Sequence, residues 1–187
     1  MPELPTSRSG KTAAEVARAC ARVAAGVTLP PFRALSGGVL MAKEIKGRGN
    51  WVTDADVACE RAVITLLAEE YPDIPVLSEE TSASVEGWDE GWLWVIDPID
   101  GTGNYSRGIP SWVFNLALCY DGEPVLGLTD QPVTGDEFFA EQGNGLTLNG
   151  KPVRVSSVAA AAEALAGSAQ QDDRVADHGQ ALRNTRE

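Results

Sequence analysis

Apolar positions recur at helical spacing in two stretches near the N-terminus and at strand spacing through most of the remaining chain. Val16, Cys20, Val23 and Val27 lie on one helical stripe of an Ala-rich run, which predicts a helix over Thr12 to Val27, stopped by Pro30-Pro31. Gly37-Gly38 and Gly47 to Asn50 read as turns. Thr53 or Asp54 caps a second helix running to about Tyr71, with Val57, Val63, Ile64 and Leu67 as its apolar stripe and Pro72-Asp73 as its stop. Residues 1–10 read as a loose end.

The pattern then changes. Pro75 to Leu77 reads as a short strand feeding Ser78-Glu79-Glu80-Thr81, Val85 to Gly91 as a loop, and Trp92 to Ile96 as a buried strand. Trp112 to Tyr120 and Pro124 to Thr129 are apolar and β-rich, and Asp121-Gly122-Glu123 between them predicts a hairpin. Glu137 to Ala140 reads as a strand. Asn144-Gly145 and Asn149-Gly150 mark turns around Leu146-Thr147-Leu148, and Pro152 to Val155 reads as a further strand. Val158 to Ala166 suits a helix but is nearly featureless alanine, and from Ser168 to residue 187 the chain reads as a frayed, polar end. This mixture predicts an α+β or layered α/β class.

Length and composition fit one domain with a core: 187 residues, 43% hydrophobic and 22% charged. Fifteen basic against 27 acidic residues leave a net charge of −12, so neither nucleic acid nor an anionic membrane is expected as a partner, because both require a basic face. A phosphorylated substrate stays open, since bound cations reverse a local field. Cys20, Cys59 and Cys119 are far apart in apolar contexts and read as reduced core residues. No apolar run approaches the roughly 20 residues of a membrane span, and Met1 to Lys11 has no apolar segment of a secretory signal, so a cytoplasmic location is expected.

The chemistry concentrates in Asp97-Pro98-Ile99-Asp100-Gly101-Thr102, which comes after Trp94-Val95-Ile96. Read as a turn beyond a buried strand, it puts two carboxylates at the mouth of a sheet, where open α/β sheets place ligands. Close carboxylates repel unless they share a proton or a cation, and hard oxygens at such a position suit Mg²⁺. Gly101 permits close backbone approach, and a helix beginning near Thr102 offers free N–H groups to a phosphate. The bland alternative is a solvated Asp-rich turn. Glu79, at the preceding strand end, and Asp56, in the first turn of a helix, complete an acidic constellation. His178 is the single histidine and lies in the polar tail, which argues against Ser-His-Asp or Cys-His catalysis.

Asp97-Pro98-Ile99-Asp100-Gly101-Thr102-Gly103-Asn104-Tyr105 resembles the signature of the inositol monophosphatase family. Val52-Thr53-Asp54-Ala55-Asp56 resembles the family's acidic segment at the start of its second helix. Leu77-Ser78-Glu79-Glu80-Thr81 resembles its G-E-E-S strand end, with Ser78 in place of glycine. Gly135 to Ala140, Gly143-Asn144-Gly145 and Leu148-Asn149-Gly150 resemble its hairpin region, so the likeness runs from about Lys46 to Ser156. It implies a layered α-β-α-β sandwich and Mg²⁺-dependent hydrolysis of a small phosphomonoester, inositol monophosphate or a similar polyol phosphate. It implies that Glu79, Asp97 and the carbonyl of Ile99 hold one Mg²⁺, and that Asp97 and Asp100 hold a second. Thr102 and Asp56 are implied to orient or activate the attacking water, and the N–H groups of Gly101 and Thr102 to receive the phosphate. A homodimer is expected. Glu80 reads as outside the direct ligands, Asp54 as a capping residue, and Lys46 and Arg107 as solvated charges.

The resemblance is incomplete. The family's further acidic ligand, in a W-D-x-A-A-G-like segment, has no counterpart here, and the last tryptophan is Trp112. The expectation is therefore one domain over 1–187 with its C-terminal layers truncated. The alternative is a non-catalytic or regulatory metal-binding homologue. A covalent D-x-D-G-T phosphatase is a further alternative, but here two residues, Pro98 and Ile99, separate the acids.

Overall fold

A computed structural model describes residues 3–35, 43–47, 50–79 and 90–163. Helix α1 spans Ala13–Ala34 and starts in a reciprocal capping box, in which Thr12 and Glu15 satisfy each other's backbone N–H. It runs past the expected stop, with Pro30 and Pro31 inside it. Each proline removes a helical donor, yet its fixed φ suits a helix. The last turn is held instead by burial: the Phe32 ring packs 5.5 Å from Tyr105 and 5.3 Å from Trp112. Residues 3–10 are also better fixed than a loose end. The Arg8 N–H donates to the carbonyl of Glu70 at 2.8 Å, Tyr71 Oη donates to the carbonyl of Pro5 at 3.1 Å, and Lys11 pairs with Glu70 at 2.5 Å.

Strands β1 (Lys43–Gly47) and β2 (Asn50–Thr53) form a small antiparallel ribbon that the sequence pattern did not announce. Helix α2 comes next at Asp54–Glu70, capped by Thr53, while Asp54 is exposed in the first turn rather than the cap. Its inner stripe differs from the expected one. Val57 is 39% exposed, whereas Cys59, Val63 and Leu67 are buried together with the polar Asp56 and Glu60.

Strands β3 (Val76–Ser78), β4 (Trp92–Asp100), β5 (Val113–Tyr120), β6 (Glu123–Gln131), β7 (Asp136–Glu141), β8 (Gly145–Leu148) and β9 (Lys151–Pro152) make one seven-stranded sheet in sequential order. β3 runs parallel to β4, and every other pairing is antiparallel. Asp121-Gly122 and Asn149-Gly150 both take positive φ, as two-residue hairpin turns require. The last strand stops at Pro152 rather than Val155, and within the expected helix beyond Val158 the structure has a 3₁₀ turn at Ala161–Glu163. The expected turn at Gly37-Gly38, residues 48–49 of the second turn, Glu80-Thr81, most of the 85–91 loop, and everything after residue 163, including the frayed end, lie outside the described residues.

Period-two alternation divides the sheet. Trp94, Ile96, Phe114, Leu116, Leu118, Leu126, Leu128 and Phe139 join Val16, Cys20, Cys59, Val63 and Leu67 of α1 and α2 in the main core. The other face carries an open groove of about 740 Å³ whose lining includes Leu77, Val95, Ala117, Phe138 and Leu146, with Glu79, Asp97 and Asn115 also on it. A second, smaller core of Phe32, Leu35, Ala55, Ile99, Tyr105 and Trp112 lies beneath the acidic segment. Together these elements form an α+β sandwich. Among the described residues no helix is long and apolar enough to cross a membrane.

Candidate active site

The acidic segment is a bulged strand end rather than a turn. Asp97 pairs with Asn115 and Asp100 with Val113, so β4 holds one more residue than β5 between those pairs. Pro98, which has no N–H to give the ladder, sits in this bulge. The consequence is geometric. Residues three apart on a regular strand face opposite ways, but the extra residue puts Asp97 and Asp100 opposite partners that share one face of β5.

Strand β3 delivers the third acid. The Glu79 N–H donates to the carbonyl of Ile96 at 3.2 Å, which seats Glu79 beside Asp97. One carboxylate oxygen of Asp97 is buried with no hydrogen-bond partner. Burial first, then the charges of Glu79 and Asp100, push the Asp97 carboxyl up to about 8. Asp100 is exposed and accepts from Asn115 Nδ2 at 3.0 Å, while Asn115 Oδ1 accepts from Thr129 Oγ1 at 2.7 Å.

Asp56 and Thr102 meet on the helix side. Asp56 Oδ2 accepts from the Thr53 N–H at 2.9 Å and from Thr53 Oγ1 at 2.5 Å. Its Oδ1 lies 3.2 Å from Thr102 Oγ1, which is also 2.9 Å from the carbonyl of Ile99. The helix at the predicted point is short: α3 spans Thr102–Tyr105, with Gly101 as its left-handed N-cap at φ 97°. A Cβ at Gly101 would come 2.9 Å from the Ser111 carbonyl oxygen, so glycine is required there twice over, by conformation and by space. The first N–H groups of such a helix lack intrahelical acceptors.

The structure thus brings Glu79, Asp97 and Asp100 into electrostatic contact and joins Asp56, Thr102 and Ile99 by hydrogen bonds. Among the described residues no group of three or more His, Cys, Asp or Glu closes into a metal cluster. The donor chemistry nevertheless fits Mg²⁺, which keeps several waters and takes only one or two protein carboxylates. An unpartnered buried carboxylate oxygen beside two further acids is what such a cation compensates.

Other expected residues resolve individually. Arg107, read as a solvated charge, donates from Nη1 to the Gly103 carbonyl at 2.7 Å and braces α3. Lys46 lies in β1, and Glu80 lies outside the described residues. Cys20 and Cys59 are buried free thiols, and Cys119 is a half-buried one. Sequence reading missed Asn115, whose signal was a lone amide inside the apolar run Val113 to Tyr120. It also missed Glu60, which is 1% exposed on α2 and accepts a hydrogen bond from Ser78 Oγ.

The sequence pattern of the Inositol monophosphatase family matches residues 11–185. The chain is 34% identical over 139 residues to the Nus factor SuhB of Pseudomonas aeruginosa, covering 73% of this chain and 51% of that protein. It is 39% identical over 114 residues to an inositol-1-monophosphatase of Caulobacter vibrioides, covering 60% and 44%. In structure it resembles the IMPase of Thermotoga maritima, with a TM-score of 0.68 and 28% identity over 76% of this chain and 53% of that one. The extragenic suppressor protein suhB of Bartonella henselae gives a TM-score of 0.69 at 28% identity over 77% and 54%. The chain spans about half the length of the curated relatives it matches. On the match over residues 11–185 and the shared sandwich, the chain belongs to the inositol monophosphatase family.

Proposed function

We propose that the chain carries the metal- and phosphate-binding portion of a Mg²⁺-dependent phosphomonoesterase acting on inositol monophosphate or a similar polyol phosphate. The observation that carries this reading is Asp97: an acid with a buried, unpartnered oxygen, raised to about 8 between Glu79 and Asp100. Relatives named as inositol monophosphatases support it.

Glu79, Asp97 and the Ile99 carbonyl would hold one cation, and Asp97 and Asp100 would hold a second. Divalent cations in such a site supply Lewis acidity, acidifying water and offsetting phosphate charge. The chain's own groups do the rest. Thr53 fixes Asp56 with two hydrogen bonds, so Asp56 presents its other oxygen to Thr102. Thr102 Oγ1 can then pass its proton to Asp56 while accepting one from the attacking water, which both orients that water and raises its nucleophilicity. Gly101 and Thr102 offer backbone N–H groups to the phosphate oxygens. Asn115 holds Asp100 in a fixed orientation through its tie to Thr129.

A second reading, a metal-binding homologue without turnover, is favoured by one observation: several relatives bear the name Nus factor SuhB. Phosphate release from inositol monophosphate across a Mg²⁺ titration separates the two, with Asp97→Asn as control. Mg²⁺-dependent release that falls by about 10²-fold in Asp97→Asn supports the phosphatase. Mg²⁺ binding without release from either protein favours the second reading.

A further inference from the structure

Helix α2 carries two buried carboxylates one turn apart, Asp56 and Glu60, each 1% exposed. Asp56 reaches the segment after β4 through Thr102. Glu60 reaches the end of β3, where it accepts from Ser78 Oγ. Ser78 directly precedes Glu79 and pairs with Ile96, which directly precedes Asp97. Among the described residues strand β3 is an edge strand of three residues, paired in the sheet only with β4. So short a ladder fixes the backbone but leaves its last residue weakly held. A carboxylate as deeply buried as Glu60 is retained only where hydrogen bonds offset its desolvation.

The geometry points to Glu60 and Ser78 as a positioning pair that anchors the end of β3 to α2 and thereby holds Glu79 against Asp97. Neither touches the reacting atoms. Helix α2 then sets both flanks of the site, Asp56 gripping one and Glu60 the other. The inference rests on the metal-phosphatase reading, because Glu79 needs this precision only as a ligand.

The test is Mn²⁺ binding to the 187-residue chain, read by electron paramagnetic resonance with Mn²⁺ as the probe; Mn²⁺ favours the same hard oxygen donors as Mg²⁺. Ser78→Ala weakens binding by about tenfold or more, as loss of a group orienting a metal ligand does. Ser78→Thr, which keeps the hydroxyl, and Glu60→Gln, which keeps an accepting oxygen, retain binding near that of the parent. The double variant Ser78→Ala/Glu60→Ala binds no more weakly than Ser78→Ala, because the two residues act as one unit. Should Glu60→Ala not fold, Ser78→Ala, which removes a single oxygen, decides alone. Parental affinity in Ser78→Ala, or equal weakening in Ser78→Thr, overturns the positioning role. Asp97→Asn separates this from the underlying reading. Binding lost in Asp97→Asn but intact in Ser78→Ala removes only the pair's role. No saturable Mn²⁺ binding by the parent chain, or binding that Asp97→Asn leaves unchanged, overturns both.

Discussion

The two halves of strand β4 obey different rules. From Trp92 to Ile96 the strand is buried or half-buried, with Trp94 and Ile96 in the helix-covered core, and its side chains answer to volume. Trp94 is fully buried and packs 5.7 Å from Tyr71. From Asp97 to Asp100 the same strand bulges and carries acids that repel one another. The first half gains stability from every contact. The second concentrates charge where the fold would be more comfortable without it. A ligand-binding end can be built this way only because the apolar half holds the strand in place.

Mutations should separate the halves by sign as well as size. Trp94→Ala, in the apolar half, is expected to cost about 3–5 kcal/mol by urea denaturation, from lost burial and the cavity left behind. A cost below about 1 kcal/mol would break the contrast. Gly101→Ala, just past the acidic half, forces a side chain into left-handed backbone against the Ser111 carbonyl. It is expected to cost about 2 kcal/mol by the same measurement. Thr53→Ala removes the cap of α2 and the main anchor of Asp56, costing about 1 kcal/mol.

The most telling effect is in pH. Between the ordinary carboxyl value near 3.8 and about 8, the folded chain keeps a proton on Asp97 that the unfolded chain has released. The unfolded state therefore binds fewer protons, and the contribution of this group to stability falls as pH rises through that window. Asp97→Asn, which carries no charge to desolvate, is expected to melt at or above the parent at pH 8 in the absence of metal. Mg²⁺ is expected to raise the parent's melting temperature more at pH 8 than at pH 5, because it competes with that proton. It should leave Asp97→Asn nearly unmoved. Equal Mg²⁺ shifts at both pH values would show that Asp97 is not the group it engages.

What was legible in the sequence was what local rules decide. Apolar, β-rich runs located β4 to β6, and Asp-Gly and Asn-Gly located the tight hairpins, because a two-residue turn demands positive φ. Of Thr53 and Asp54, read as alternative caps, Thr53 is the one that starts α2, and capping too is a local matter. Long-range compensation was not legible. Pro30 and Pro31 read as a stop, whereas the helix runs on through Phe32, whose ring packs on Tyr105 and Trp112. Pro98 read as part of a turn, because a bulge exists only relative to the partner strand. Glu60 did not stand out, since Ser78, which donates to it, lies 18 residues away. In the site, residue types and order were readable from the acidic motif, whereas the supporting hydrogen bonds of Asn115 and Glu60 were not.

The small core beneath the acids couples distant parts of the chain in time as well as space. Tyr105, from α3, hydrogen-bonds the Thr28 carbonyl at 2.8 Å and stacks among Phe32 and Trp112, so the proline-weakened end of α1 and the α3 segment share one set of contacts. These segments should therefore open together as a single cooperative unit, at a lower free energy than the sheet. In native-state hydrogen exchange, the amides of Ser106 and Gly108 would then track the rate of the last turn of α1 rather than that of the strands beside them. How often the site comes apart would be set by the fraying of a helix end that carries none of the chemistry.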